Sequence, residues 1–297
     1  METTLERSDD ATTRVTKQPT VADATGTSPA TRPQTISSTA TRWGRRGAAA
    51  IGRSLLGWAL PLVAVLWWFL ATRHVSVTDL FPSPGQVWDR TVELTRSGDL
   101  FAYIGQSTRR ALAGFTLGGG IGFLLGLFTG LSKWTNLLLN NTIQMLRNIP
   151  VLAVIPLALV WFGIGEEVKI YLVAFGVFFL VYANTYHGIR SIDPKLVEMS
   201  RVYGMSPWKR FANVVLPGAM PSILVGVRLA LGVMWLVLIA AETVATDEGI
   251  GYMAMSARNV MQMDTVVLSI ILYSILGKLS DVVAVVLEKS LVRWKKL

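Results

Sequence analysis

The chain has 297 residues, 52% of them apolar and only 16% charged, with a mean hydropathy of +0.46, a balance that excludes an ordinary water-soluble globule. Its 28 Lys and Arg against 19 Asp and Glu leave +9, so the cationic surplus belongs either to a nucleic-acid surface or to the cytoplasmic margin of a bilayer. The absence of cysteine excludes disulfides, zinc-thiolate sites, iron-sulfur clusters and a thiol nucleophile.

In chain order, residues 1–50 come first. Up to Thr41 they are rich in Thr, Ser, Ala and Pro, nearly balanced in charge and without apolar periodicity, which predicts a disordered polar tail. The first apolar run begins near Ser54, too late for a secretory signal, and is long enough to span, so it reads as retained. Uncharged windows at 54–72, 111–131 and 170–189 match the roughly 20 residues that a bilayer crossing needs. Three further windows carry isolated charge: 134–165 holds Arg147, 211–241 holds Arg228, and 265–287 holds Lys278 and Asp281, three residues apart and able to neutralise each other on a helix. The chain is thus expected to be an all-α membrane protein of six transmembrane helices, with residues 51–297 as the membrane domain.

Between the first two windows, Pro82-Ser83-Pro84 followed by Val87, Trp88, Val92 and Leu94 predicts a short amphipathic surface helix. Gly114, Gly118, Gly122, Gly126 and Gly130 recur every fourth residue along one helical face, which predicts a close helix-helix seam and not a phosphate loop. Arg109 and Arg110 sit together at the outer end of this window, where they either snorkel or bind an acidic neighbour. In the third window, Pro150 and Pro156 remove backbone donors and predict a bent or broken span. Trp67, Trp68, Trp161 and Trp294 near span ends fit an interfacial aromatic belt.

With the N-terminal side taken as cytoplasmic, the segments on that side hold 16 basic residues against Asp193, Glu198, Asp281 and Glu288, while the outer segments hold seven basic and ten acidic residues. The positive-inside rule then places both termini in the cytoplasm and assigns the surplus to membrane margins, so no nucleic-acid partner is needed. The loop before the fifth window falls on the basic side. There Asp193-Pro194 starts a helix of about three turns that Gly204 can close in a left-handed conformation, and Ser206-Pro207 starts a second short helix, followed by Pro217. Met199, Tyr203, Met205, Trp208 and Phe211 among basic residues make this loop, about 190–217, a knob suited to a partner's grip.

Glu198-Met199-Ser200, Gly204, Val214, Leu216 and Pro217 resemble the EAA loop of permease subunits in ATP-binding-cassette importers, a pattern of E-A-A, three residues, Gly, nine residues, Ile, one residue and Leu-Pro. Met199 and Ser200 replace the alanines, and Val214 replaces the isoleucine, with the spacing intact. From about Leu60 to the C-terminus the chain is most similar to aliphatic sulfonate permeases, in stretches such as Ile143 to Asn148, Trp161 to Ile164, Asn184 to Arg190 and Gly249 to Tyr252. The resemblance implies the type I, MetI-like importer permease fold. It also implies two partner ATPase subunits, a second copy of the permease, an external or periplasmic substrate-binding protein and a bacterial plasma membrane. Aliphatic sulfonate is the implied cargo, with taurine, nitrate and bicarbonate as alternatives.

In the family this loop enters a groove on the ATPase, which implies a coupling site of Glu198, Met199, Ser200, Tyr203, Gly204, Met205, Leu216 and Pro217. Consistently, the chain has no GxxxxGK[ST] nucleotide loop, because Gly277-Lys278 is followed by Leu279 inside a span, and it is expected not to be an enzyme. Gln144, Arg147, Asn148 and Arg228 are candidates for the translocation path, since polar groups at membrane depth usually face a cavity. Arg228 also has the option of snorkelling to the cytoplasmic interface. No catalytic cluster, metal site or cofactor is expected, a lone His187 being a poor ligand set. The competing class is an ion-coupled secondary transporter, which would keep acidic residues near the midplane. Asp281, toward the cytoplasmic end, is the acid that this reading places well inside a span.

Overall fold

A computed structural model describes residues 59–72, 81–244 and 246–292. The expected polar tail, Trp294 and the first residues of the first window therefore lie outside the described residues. Among the described residues twelve α-helices follow one another: α1 (Ala59–Thr72), α2 (Pro84–Ser97), α3 (Asp99–Leu131), α4 (Lys133–Thr135), α5 (Asn141–Leu146), α6 (Val151–Phe162), α7 (Glu166–Arg190), α8 (Pro194–Val202), α9 (Pro207–Arg210), α10 (Leu216–Val244), α11 (Ile250–Asn259) and α12 (Met263–Leu291). Short π-helical turns join α4 to α5 over Asn136–Asn140 and α9 to α10 over Phe211–Val215.

Among the described residues four helices are long and apolar enough to cross a membrane: α3, α7, α9 continued through α10, and α12. The α4–α5 segment and α6 make a fifth span broken by a 95° bend. The described 14 residues of α1 occupy the place of the remaining expected span. The bend lies at Arg147 to Pro150. Pro150 caps α6 with extended φ −62°, ψ 120° and supplies no amide to the preceding helix, so the helix stops there, whereas Pro156 is accommodated inside α6.

The α2 helix carries the sequence signature of its start. The Ser83 Oγ accepts from the Gln86 amide at 3.3 Å, Gln86 Oε1 accepts from the Ser83 amide at 2.7 Å, and Pro84 opens the first turn. Its buried residues, Val87 and Leu94, pack with Leu100, Ile250, Met253 and Leu268. Trp88 stays exposed, while the Trp68 indole Nε1 donates to the Pro82 carbonyl at 3.1 Å.

The glycine stripe of α3 sets the centre of the molecule. A Cβ on Gly114 would lie 2.6 Å from Val173, one on Gly122 would lie 2.6 Å from the Phe178 carbonyl oxygen, and one on Gly118 would collide with the Ala174 backbone. Contacts rise together along both chains, from Gly114 beside Val173 to Gly130 beside Ile189, so α3 and α7 run parallel. On the other side of α7, Gly226 of α10 abuts Asn184 and Gly188 abuts Ala219 and Ser222, an antiparallel seam. The main core of Ala111, Val173, Val177, Met234, Leu238 and their neighbours fills the space around these seams.

Two span boundaries differ from the sequence expectation. The second span begins at Asp99 and not near 111, because the polar turns that precede the apolar window remain helical and bury Ser107 and Arg110 against other helices. The fifth begins at Pro207, because Pro217 does not stop the chain: the preceding π turn lets the Leu216 amide bond the Phe211 carbonyl, and the helix runs on. The second helix of the knob is therefore the first turns of a long span, not a separate short helix.

Candidate functional site

The loop between α7 and α10 folds as its caps require. Asp193 accepts from the Lys195 amide at 2.9 Å and Pro194 opens α8. At the far end Gly204 takes φ 67°, with its amide bonded to the Arg201 carbonyl at 2.9 Å and the Met205 amide to the Ser200 carbonyl at 3.1 Å. These paired bonds close the helix in a Schellman turn, for which a left-handed residue is needed. Ser206 then accepts from the Lys209 amide at 3.4 Å and Pro207 opens α9.

This elbow leaves apolar groups outside. Leu196, Met199, Val202, Tyr203 and Trp208 are exposed, Tyr203 at 77% and Val202 at 87%. Glu198 is exposed and forms no ion pair among the described residues. Ser200 is buried, its hydroxyl donating to the Val197 carbonyl at 2.6 Å, so it holds α8 and does not face outward. Met205 is half-buried, and Leu216 and Pro217 are half-buried at the root of α10. The structure thus brings together the exposed face Glu198, Met199, Tyr203 and Gly204, while Ser200, Leu216 and Pro217 support it. A cavity of about 400 Å³ beside Glu198 is lined also by Lys133, Arg190 and Arg201.

The four path candidates divide. Gln144 is half-buried and Arg147 and Asn148 are exposed at the bend between α5 and α6. Arg228 lies elsewhere, its Nε donating to Asp281 at 2.7 Å, and Asp281 also accepts from Lys278 at 3.2 Å. No hydrogen bond or ion pair joins Arg228 to the bend among the described residues. The pairing of Lys278 with Asp281 matches their spacing, and Arg228 completes a trio of two cations around one carboxylate, with a net charge of +1.

At the opposite ends of these helices lies a cluster that sequence reasoning missed. The Glu242 side chain is fully buried in the last turns of α10. It accepts from Arg110 at 2.9 Å, from the Ser107 hydroxyl at 2.8 Å, from the Gly251 amide at 2.9 Å and from the Tyr273 hydroxyl at 3.0 Å. A carboxylate carried into a core in this way must be both paired and fully hydrogen-bonded, and this one is. Arg110 also donates to Glu166 at 2.5 and 2.6 Å and to the Glu248 carbonyl at 2.6 Å, and Lys169 donates to Glu166 at 2.7 Å.

Asp281 does lie within the span α12, and Glu242 adds a buried acid at the end of the span through α10, where Arg110 compensates its charge. The cluster also answers the question of Arg110, which binds acidic neighbours and does not snorkel, while Arg109 is exposed. For Arg110 alone the sequence carried a signal. Arg110 precedes Gly114 by four residues and so shares the face that meets α7.

The comparisons with known proteins agree with this architecture. A family model described as binding-protein-dependent transport system inner membrane component matches residues 119–293. A relative from Escherichia coli (strain K12), named as the aliphatic sulfonates transport permease protein SsuC, is 53% identical over 238 residues, covering 80% of this chain and 90% of that one. The protein of the same name from Bacillus subtilis (strain 168) is 41% identical over 249 residues, covering 82% and 90%. The taurine transport system permease protein TauC of Escherichia coli is 30% identical over 240 residues, covering 79% and 87%. Among solved structures, a chain of a bacterial alginate ABC transporter in complex with a pentasaccharide-bound periplasmic protein superposes with a TM-score of 0.57 at 16% identity, covering 82% of this chain and 97% of that one.

Proposed function

The chain belongs to the family of binding-protein-dependent transport system inner membrane components, and from that premise we propose that it is the subunit through which aliphatic sulfonates enter the cell. Its multi-pass helical body is the permease of an ABC importer. The complex we propose has two copies of the chain, two ATPase subunits on the cytoplasmic side and a substrate-binding protein outside, in a bacterial plasma membrane with both termini cytoplasmic. The 16 basic residues on the side of the α8 loop support that orientation.

The observation that carries the coupling role is the exposed apolar elbow of α8 and Gly204. Exposed aromatic and aliphatic groups on a rigid two-helix knob, rimmed by Lys195, Arg201 and Lys209, are what a docking partner would cover. Glu198 is free to pair with a cation of the ATPase. Closure of the ATPases on ATP would then pull on the root of α10 through Leu216 and Pro217. The chain carries no nucleotide loop, so the energy enters through this contact. For the passage, the bend at Gln144, Arg147 and Asn148 is the better-supported segment, because a helix broken mid-span exposes polar groups at depth.

The sulfonate assignment rests on the 53% and 41% identity to the two relatives of that name. The test is uptake into vesicles containing permease, ATPases and binding protein, with alkanesulfonates, taurine, nitrate and bicarbonate compared. ATP-dependent accumulation of alkanesulfonate above the other three is expected. Accumulation driven by an ion gradient without ATP would overturn the importer reading in favour of a secondary carrier.

A further inference from the structure

Arg110, Lys169, Glu166 and Glu242 balance to zero charge, but they are not equally held. The side chains of Arg110, Lys169 and Glu242 are 2%, 4% and 0% exposed, whereas that of Glu166 is 46% exposed. Glu242 is fixed by four protein donors, while Glu166 is bound through Arg110 and Lys169 alone and faces a cavity of about 320 Å³ lined also by Gln106 and Thr246. If Glu166 swung outward, two buried cations would face one buried anion, leaving an uncompensated unit of positive charge at the cavity wall.

We propose that this cavity is a site on the permease for the sulfonate group of the cargo, which enters by displacing Glu166 from Arg110 and Lys169. The proposal rests on the reading of the chain as an importer of organic sulfonates. The donor geometry suits the class: Arg110 offers Nε and Nη2 as a fork and Lys169 offers Nζ beside them, so three N–H groups converge on the Glu166 carboxylate. A carboxylate has two oxygens to meet three donors, and Glu166 must share one of them, since Oε1 accepts from both Arg110 and Lys169. A sulfonate brings three oxygens and one negative charge, one oxygen per donor. The first turn of α7 begins at this cavity, and its Gly165 N-cap leaves the amides without a side-chain cap, a further favourable field for an anion. The Asp247 and Glu248 carboxylates at the rim are exposed and screened by water. Thr246 accepts from Lys169 at 2.9 Å and keeps the ammonium aimed at the cavity.

The test uses the assembled importer in lipid nanodiscs, without binding protein, and ethanesulfonate as the probe, with neutral ethanesulfonamide as the control. Binding is read by calorimetry and by the rise in unfolding temperature that a ligand of the folded state produces. Glu166→Gln removes the competing charge and is expected to bind ethanesulfonate about tenfold more tightly than the unaltered complex. Adding Lys169→Met is expected to abolish that gain, and ethanesulfonamide is expected to bind none of the variants. A purely structural role for Glu166 gives no gain, so equal or weaker ethanesulfonate binding in Glu166→Gln overturns the site. Should that variant fail to fold, Glu166→Asp, whose shorter side chain reaches the guanidinium less well, carries the same expectation with a smaller gain. Uptake by the same variants in sealed vesicles, with ATPases and binding protein supplied, separates the two readings. No gain in binding with sulfonate uptake intact overturns the site alone, and a gain in binding without ATP-driven sulfonate uptake supports the anion site while overturning the cargo assignment.

Discussion

Gly204 shows how one residue can carry a requirement that contacts do not reveal. Its φ is 67° and nothing lies within 4 Å of the position its Cβ would take, so a side chain there meets strain and not collision. The left-handed region costs an L-residue about 1–2 kcal/mol, least for Asn and most for β-branched residues. Gly204→Asn should therefore keep transport, whereas Gly204→Val should abolish uptake and stimulated ATP hydrolysis while the protein still inserts, which vesicle uptake and membrane fractionation would check. Arg110 illustrates the opposite case, a residue whose whole value lies in its partners. Arg110→Met would leave Glu242 buried without its cation, a loss of about 3–5 kcal/mol read as a lower unfolding temperature. Adding Glu242→Gln should restore part of that loss, because the orphaned charge is then gone.

At the level of helices, the α3–α7 seam depends on which glycine is altered. A side chain at Gly118 would meet the Ala174 backbone, which cannot rotate away, whereas Gly120 on the same helix has nothing within 4 Å. Gly118→Val should separate the helices and lower the unfolding temperature sharply. Gly120→Ala should be neutral or slightly stabilising, by up to about 1 kcal/mol from helix propensity, and thermal unfolding in detergent would tell them apart. Such elements were legible in the sequence wherever the cause is local: the four-residue glycine period, the break at Pro150, and the Ser83, Asp193 and Ser206 starts. What stayed hidden depends on neighbours. Glu242 and Arg110 are 132 residues apart, and an apolar window that ends at 241 gives no sign that the next residue turns inward. The α11 helix was missed for a related reason. Gly251 lies inside α11, where a Cβ would strike Glu242 at 2.4 Å, a requirement set by tertiary packing and not by local sequence.

For the molecule as a whole, the two polar ends have different chemistry. One carries the exposed elbow with its basic rim, and the other carries acidic Glu167, Asp247 and Glu248 outside a buried charge cluster. If the first is cytoplasmic, a single cysteine at Tyr203→Cys should react with an impermeant maleimide only after cells are opened, while Asp247→Cys should react in intact cells. The native chain has no cysteine to confuse the labelling. The parallel glycine seam limits how such a body can change shape. Its stripe repeats every four residues, so α3 and α7 fit together like a rack whose notches are about 6 Å apart at 1.5 Å per residue. At the notches the glycines admit the α7 backbone, and a slip off them would drive α3 side chains into it, so the pair has no graded positions. Any displacement that a partner imposes on α7 is therefore passed to α3 whole, and the two helices travel as a single beam.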